Sequence, residues 1–164
     1  MIAIRTCAVT DLDEVQAIYA HHVRTGLGTF EEVPPSIAEM RERFDALVQA
    51  NFPFLVADID RRVAGYAYAG PFRPRAAYRH TAESSVYVAK DMQRRGVGQA
   101  LMLRVIADCR KLGHRQLLAV IGDSSNHASI GLHTALGFEH VGVFKEVGFK
   151  FARWVDVVLM QSSL

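Results

Sequence analysis

Apolar residues recur along this chain at two spacings, alternate positions in some stretches and every third or fourth in others, with polar or glycine-rich breaks between them. Ile2-Ala3-Ile4-Arg5 reads as a short first strand. Thr10 and Asp13 form a cap pattern ahead of Val15, Ile18 and Tyr19, predicting a helix over about 11–23. Residues 24–35 then carry Gly26, Gly28, Pro34 and Pro35, which interrupt regular structure. A second cap pair, Ser36 with Glu39, precedes Ile37, Met40, Phe44, Leu47 and Val48 and predicts a helix to about Gln49. Two strand-like runs, 54–57 and 63–69, flank the polar residues 58–62 and read as an antiparallel hairpin.

In the second half, strand alternation over 81–88 sends Glu83, Ser85 and Tyr87 to one face and Ser84, Val86 and Val88 to the other, provided no bulge intervenes. Val97, Leu101, Val105 and Cys109, with Leu112 just beyond, mark the buried stripe of a long helix that Gly113 ends. The unbroken apolar run 117–121 fits a central strand covered on both faces. A helix separates it from the strand before, so the two should be parallel. A short helix over 127–136 follows, closed by Gly137-Phe138, and then two strands, 139 to about 145 and 151 to about 161, around a turn at Glu146-Val147-Gly148.

A chain of 164 residues, half of them hydrophobic, is expected to form one domain, 1–164, with a substantial core. Its net charge of +2, with acids and bases well mixed, gives no electrostatic reason to expect nucleic acid or a membrane surface as partner. The opening residues reach charge too soon for a signal peptide and no apolar run could span a bilayer, so a cytoplasmic protein is expected. Cys7 and Cys109 form neither a disulfide framework nor a metal-ligand spacing and read as buried thiols; no metal is expected.

The stretch from Ser84 to Leu101 carries the chemistry. It passes from a strand through a basic, glycine-punctuated turn into a helix, whose first N–H groups and dipole favour an anion such as a pyrophosphate. Gly96 and Gly98 bring bare backbone there and Arg94 and Arg95 add charge. A nucleoside triphosphatase loop would end in Gly-Lys-Ser/Thr, but Gln99-Ala100 follow Gly98; a dinucleotide fingerprint would need a small residue where Leu101 stands. What remains is Gln93-Arg94-Arg95-Gly96-Val97-Gly98 after a Val-Tyr-Val strand.

Four further features have two readings each. Phe30 and Glu31 form either a hydrophobic plug with a solvated acid or one wall of a substrate pocket. Arg73, Arg75 and Arg79, on a loop stiffened by Pro71 and Pro74, form either a solvated basic loop or a clamp for carboxylate or phosphate. Glu83 is either a rim ion or a general base, and His133 either a packed histidine near a helix end or a functional one.

The Gln-x-x-Gly-x-Gly stretch resembles the acyl-CoA loop of the GNAT acetyltransferase superfamily. The order of elements resembles that α/β (α+β) fold along the whole chain: a mixed, mostly antiparallel sheet of about seven strands flanked by about four helices. Within it the chain is similar to the phosphinothricin and methionine sulfoximine acetyltransferases. The segments that carry this likeness are Thr29-Phe30-Glu31, Phe72-Arg73-x-Arg75-x-Ala77-Tyr78-Arg79-x-Thr81-x-Glu83-x-Ser85-Val86-Tyr87-Val88 and Ile121-Gly122-Asp123-Ser124-x-Asn126-x-Ala128-Ser129-Ile130-x-Leu132-His133. Phe138 and Val147-Gly148-Phe149-Lys150-x-x-x-Trp154-x-Asp156-Val157 complete it.

The resemblance implies direct acetyl transfer from acetyl-CoA to the primary amine of a small amino-acid-like acceptor. Val86, Tyr87 and Val88 would pair through backbone with the pantetheine arm, the 93–98 turn would hold the pyrophosphate, and Asn126 would lie near the thioester. Glu83 matches the proposed general base, and His133 stands where many GNAT enzymes have a tyrosine thought to protonate the leaving thiolate. Arg73, Arg75 and Arg79 would hold the acceptor's carboxylate, phosphinate or sulfoximine. Phe30, Glu31 and Ser84 would line its site. Relatives are homodimers, and the apolar strand 154–160 offers surface for that. Alternatives are another amine acceptor (a protein N-terminus, a polyamine, an antibiotic) or a non-catalytic acyl-CoA-binding module. One departure is Ala152 where related sequences often have glycine, which puts a positive φ there in question.

Overall fold

The computed structural model describes residues 1–164. Its elements are β1 (Ala3–Thr6), α1 (Leu12–Thr25), α2 (Ile37–Gln49), β2 (Phe54–Ile59), β3 (Arg62–Pro71), β4 (Thr81–Val88), α3 (Val97–Lys111), β5 (Gln116–Gly122), α4 (His127–Ala135), β6 (Glu139–Lys150) and β7 (Arg153–Ser163). The seven strands form one sheet in the order β1-β2-β3-β4-β5-β7-β6. Every neighbouring pair is antiparallel except β4 with β5, as the intervening α3 requires.

Alternation in the strands feeds two cores, one on each face of the sheet. Leu101, Met102, Val105 and Cys109 of α3 pack on Leu55, Ala67, Ala69, Leu117 and Ala119. On the other face Val15, Tyr19 and Val23 of α1 and Met40 and Phe44 of α2 pack on Phe54, Val56 and Tyr66. Both thiols are buried, and burial pushes Cys7 and Cys109 up to about 12, far from reactivity at neutral pH.

Two local expectations are corrected. Thr10 does not cap α1; the N-cap position is Asp11, whose carboxylate makes no capping bond to the helix and instead accepts from the Ala8 amide at 2.7 Å and from both terminal nitrogens of Arg5. The Ser36/Glu39 box on α2 forms as expected. The chain does not turn at Glu146-Val147-Gly148. β6 runs through these residues with a register irregularity between Phe144 and Gly148, and the hairpin turns instead at Phe151 and Ala152. A polar residue and a glycine inside a strand mark a bulge as readily as a turn.

The two turn residues have φ of 52° and 56°, so Ala152 keeps the left-handed conformation that glycine would adopt more cheaply. A152G should therefore raise stability by about 0.5–1 kcal/mol, seen as a melting temperature about 2–3 °C higher.

Candidate active site

The parallel pairing of β4 and β5 runs only from Thr81↔Gln116 to Ser84↔Ala119. Beyond it β4 continues to Val88 beside β3, β5 continues to Gly122 beside β7, and the two strands part. β4 shows no bulge against β3. The Ala89 amide donates to the Ala64 carbonyl, and by the antiparallel alternation Tyr87 and Ser85 spend their backbone groups on β3, while those of Val86 and Val88 face the gap. The His22 ring on α1 donates Nε2–H to the Val88 carbonyl at 2.9 Å, so the Val86 amide and carbonyl and the Val88 amide remain on the open edge. Tyr87 contributes no free backbone there, and its ring lies on the opposite face against Tyr19, His22 and Tyr66. Ser84, buried, closes the last paired rung by donating its hydroxyl to the Leu118 carbonyl.

At the far end of β4 the chain makes a short turn, bends through Arg94 (φ 61°) and enters α3 from Gly96 in the left-handed conformation (φ 81°). A side chain at Gly96 would meet nothing, so the conformation is what demands glycine. Gly98 also has a packing role: a Cβ there would stand 3.3 Å from Leu132 of α4 and 3.6 Å from Val88. No acid and no capping side chain occupies the first turn of α3, and Arg94 and Arg95 stand exposed beside Gln93. Open N–H groups, a left-handed glycine and two cations fit a pyrophosphate, and the strand edge leading to them fits an amide-bearing arm such as pantetheine.

Glu83 sits on the α1/α2 face of β4, half-buried, and burial alone raises its pKa. No guanidinium offsets it. Across the ladder Tyr68 opposes Ser85. Its phenol is raised first by burial and lowered by the Ser85 hydrogen bond, with Arg43, Glu83 and Glu31 all acting on it. Glu83, Glu31, Arg43 and two tyrosines therefore share one neighbourhood.

Residues 26–31 form the wall of that neighbourhood. Tyr19 and Thr29 are joined hydroxyl to hydroxyl at 2.8 Å, and Glu31 pairs with Arg43 at 2.7 Å. Lys150, 1% exposed, reaches in from the end of β6 to donate to the carbonyls of Gly26 and Thr29, both at 2.8 Å. Gly122 and Gly148 are bare because the segment lies on them: a Cβ at Gly122 would fall 2.0 Å from the Leu27 carbonyl oxygen, and one at Gly148 would strike the Phe30 ring. Phe30 remains part-exposed, covering one side of the neighbourhood.

The other expected site residues are placed as follows. Asn126 spends its side chain locally, capping α4 by accepting from the Ser129 amide. The turn before it is clasped by Asp156, which accepts from Lys145, Ser124 and the Glu146 amide and is held down at about 2 by them. His133 is buried, packs edge-on to Phe138 and donates Nδ1–H to the Ser129 carbonyl; burial lowers its pKa. Arg73, Arg75 and Arg79 are exposed and free of ion pairs, on a loop that leaves β3 at Pro71, opposite Ala82 and one residue from Glu83. Arg73 rests on the rings of Phe72 and Tyr78 at 5.0 and 5.8 Å. No cluster of His, Cys, Asp and Glu gathers to hold a metal ion. Arg43, His22 and Tyr68 were not singled out by the sequence patterns, and Lys150 stood there only within a segment that carries the family likeness, with no role given.

A parted parallel strand pair with a glycine-led helix at its mouth and a half-buried carboxylate beside it is the architecture of an acyl-CoA-dependent N-acetyltransferase. The chain belongs to the GNAT acetyltransferase family, matching the acetyltransferase (GNAT) domain over residues 4–159. It is 54% identical over 161 residues to the phosphinothricin N-acetyltransferase of Alcaligenes faecalis, covering 98% of this chain and 82% of that one. It is 40% identical over 163 residues to the L-methionine sulfoximine/L-methionine sulfone acetyltransferase of Pseudomonas aeruginosa, with 99% and 94% covered. Among solved structures it superimposes, with a TM-score of 0.96 and 42% identity, on a GNAT superfamily phosphinothricin acetyltransferase from Sinorhizobium meliloti in complex with acetyl-CoA, covering 99% of this chain and 88% of that one.

Proposed function

We propose that this enzyme acetylates the primary α-amine of a small amino-acid-like acceptor of the phosphinothricin, methionine sulfoximine or methionine sulfone type. The observation that carries this reading is the juxtaposition of the open Val86 edge with Glu83 and the 26–31 wall. When bound, acetyl-CoA supplies the activated acetyl group as a thioester. The Val86 and Val88 amides align the arm of this co-substrate and the 93–98 turn takes its pyrophosphate. Glu83 accepts the proton that an ammonium must lose before its nitrogen can attack, directly or through a water. A backbone N–H on the open edge faces the oxygen that gains negative charge. Arg73, Arg75 and Arg79, unpaired next to the Glu83 end of β4, are suited to the acceptor carboxylate, and Phe30 to its methyl end. Holding amine and thioester in line supplies much of the rate. His133 has no part as acid in this reading, because a neutral ring whose only N–H is committed to Ser129 has no proton on Nε2.

The same reading takes residues 1–164 as one catalytic domain acting in the cytoplasm, where the free thiols Cys7 and Cys109 would stay reduced. No helix is long and apolar enough to cross a membrane. The edge strand β6 and its neighbour expose Phe144, Phe149 and Trp154, the last at 61%, which is surface suited to a second copy of the chain.

The test is thiol release from acetyl-CoA with a panel of phosphinothricin, methionine sulfoximine, methionine sulfone, common amino acids and polyamines. Turnover confined to the first three is expected. No turnover with any amine, despite tight CoA binding, would sink the proposal.

A further inference from the structure

Of the backbone groups that Val86 and Val88 turn toward the gap, the Val88 carbonyl is bound from another element. His22, in the last turn of α1, donates Nε2–H to it at 2.9 Å. The ring is part-buried and set against Tyr87 at 5.5 Å; burial lowers its pKa, the Val88 bond opposes the fall and His21 adds to it. At neutral pH it is a neutral imidazole with one N–H, and because a carbonyl can only accept, that N–H is on Nε2. On the other side of the same peptide the Ala89 amide donates to the Ala64 carbonyl at 2.9 Å. The Val88–Ala89 peptide is thus held at both ends, by α1 and by β3.

This peptide is where β4 gives way to the 93–98 turn. The far end of the turn is fixed close by. Val97, 1% exposed, packs on bare Gly65, where a Cβ would fall 3.1 Å from Val97 and 2.8 Å from the Tyr87 carbonyl oxygen, and Gly65 is itself the partner of Val88 across the ladder. Both ends of the turn therefore rest on one point of β3. Charge matters as much as position. Untied, the Val88 carbonyl would present its oxygen on the open edge beside a turn suited to a pyrophosphate, and the negative end of a carbonyl dipole facing an anion is unfavourable.

We infer that His22 is a positioning residue for the coenzyme: by binding the Val88 carbonyl it makes the open edge end on a donor, the Val88 amide, and sets the peptide from which the pyrophosphate turn departs. The inference rests on the coenzyme part of the proposed function and not on the acceptor. Along the edge the arm meets Val86 N–H and C=O, then Val88 N–H, and beyond these the open N–H groups at the start of α3, with the Val88 carbonyl withdrawn from the path of the anion. A histidine on a helix that carries none of the turn's residues thereby shapes how the turn receives its phosphates.

Binding to the empty enzyme tests this without an acceptor. H22Q keeps an N–H within reach of the carbonyl, whereas H22M, of similar length, and H22F, which keeps a ring against Tyr87, have none. Titration calorimetry should give a Kd for CoA about tenfold weaker in H22M and H22F than in the unmodified enzyme, and within about threefold of it in H22Q. Pantetheine, which lacks the pyrophosphate, should bind all four proteins alike when titrated by protein NMR, whereas a defect of fold would weaken both ligands. CoA bound equally by H22Q and H22M, or pantetheine weakened as much as CoA, would overturn the role of His22, and the comparison of H22Q with H22M stands even if H22F does not fold. If the unmodified enzyme binds CoA no tighter than pantetheine, the turn is not a pyrophosphate site and the inference falls with that reading.

Discussion

E83Q is expected to lower kcat for amine acetylation by about 10²-fold or more at neutral pH, with little change in either KM, because an amide cannot take the proton from the acceptor ammonium. The pH profile carries the sharper signature. Burial holds the Glu83 pKa above its ordinary value of 4.5, and the base works only when ionised. Activity of the unmodified enzyme should therefore rise with pH through a limb lying above the normal carboxylate range, and E83Q should lack that limb. Stability should respond with the opposite sign. A carboxylate whose folded pKa is raised contributes stability that is fully present below the unfolded pKa and is lost as pH rises through the folded one. E83Q removes this loss, so the variant should melt no lower than the unmodified protein at pH 7. A pH profile identical in both proteins would remove Glu83 as the base.

The second large effect is expected at Lys150. Its ammonium is the sole side-chain donor to the Gly26 and Thr29 carbonyls, and burial lowers its pKa without the neighbouring Glu32 and Glu31 fully offsetting that. K150M keeps the length of the side chain and leaves two buried acceptors unmet, at about 1–3 kcal/mol each. The wall that carries Phe30 and Glu31 should then loosen. The KM for the acceptor should rise about tenfold or more while that for acetyl-CoA stays constant, and the melting temperature should fall. Equal increases in both constants would show that Lys150 supports the whole sheet rather than the acceptor wall.

These two residues mark what the amino-acid order could and could not reveal. Glu83 lies in a strand whose alternation is written in its neighbours, so its face, though not its environment, follows from counting by two. The helix stripes and the Ser36/Glu39 box are legible for the same reason, since each depends on residues near one another in the chain, and the parallel β4–β5 pair follows from the helix that separates the two strands. Lys150 meets its carbonyls across more than a hundred residues, and nothing in its local pattern distinguishes it from a surface lysine. Arg43 likewise reads as the polar face of α2, and only folding brings Glu31 to it. The mistaken turn at residues 146–148 has a related cause. A bulge and a turn use the same residue types, and what separates them is the pairing across the hairpin, Gly148 with Val155 and Phe144 with Val157. Gly98 is legible as a glycine that matters, but Leu132, which a side chain there would crowd, belongs to another helix.

The brief β4–β5 contact makes the sheet mechanically two plates, β1 to β4 and β5 to β7, stitched by a few rungs ending at the Ser84–Leu118 bond. In the proposed binding mode, a donor molecule along the Val86 edge would fasten the plates where the protein's own hydrogen bonds stop. Occupancy and rigidity are then one equilibrium: the melting temperature climbs with coenzyme concentration, and the amides of Val86 and Val88 exchange with solvent in the empty enzyme far faster than those paired to β3.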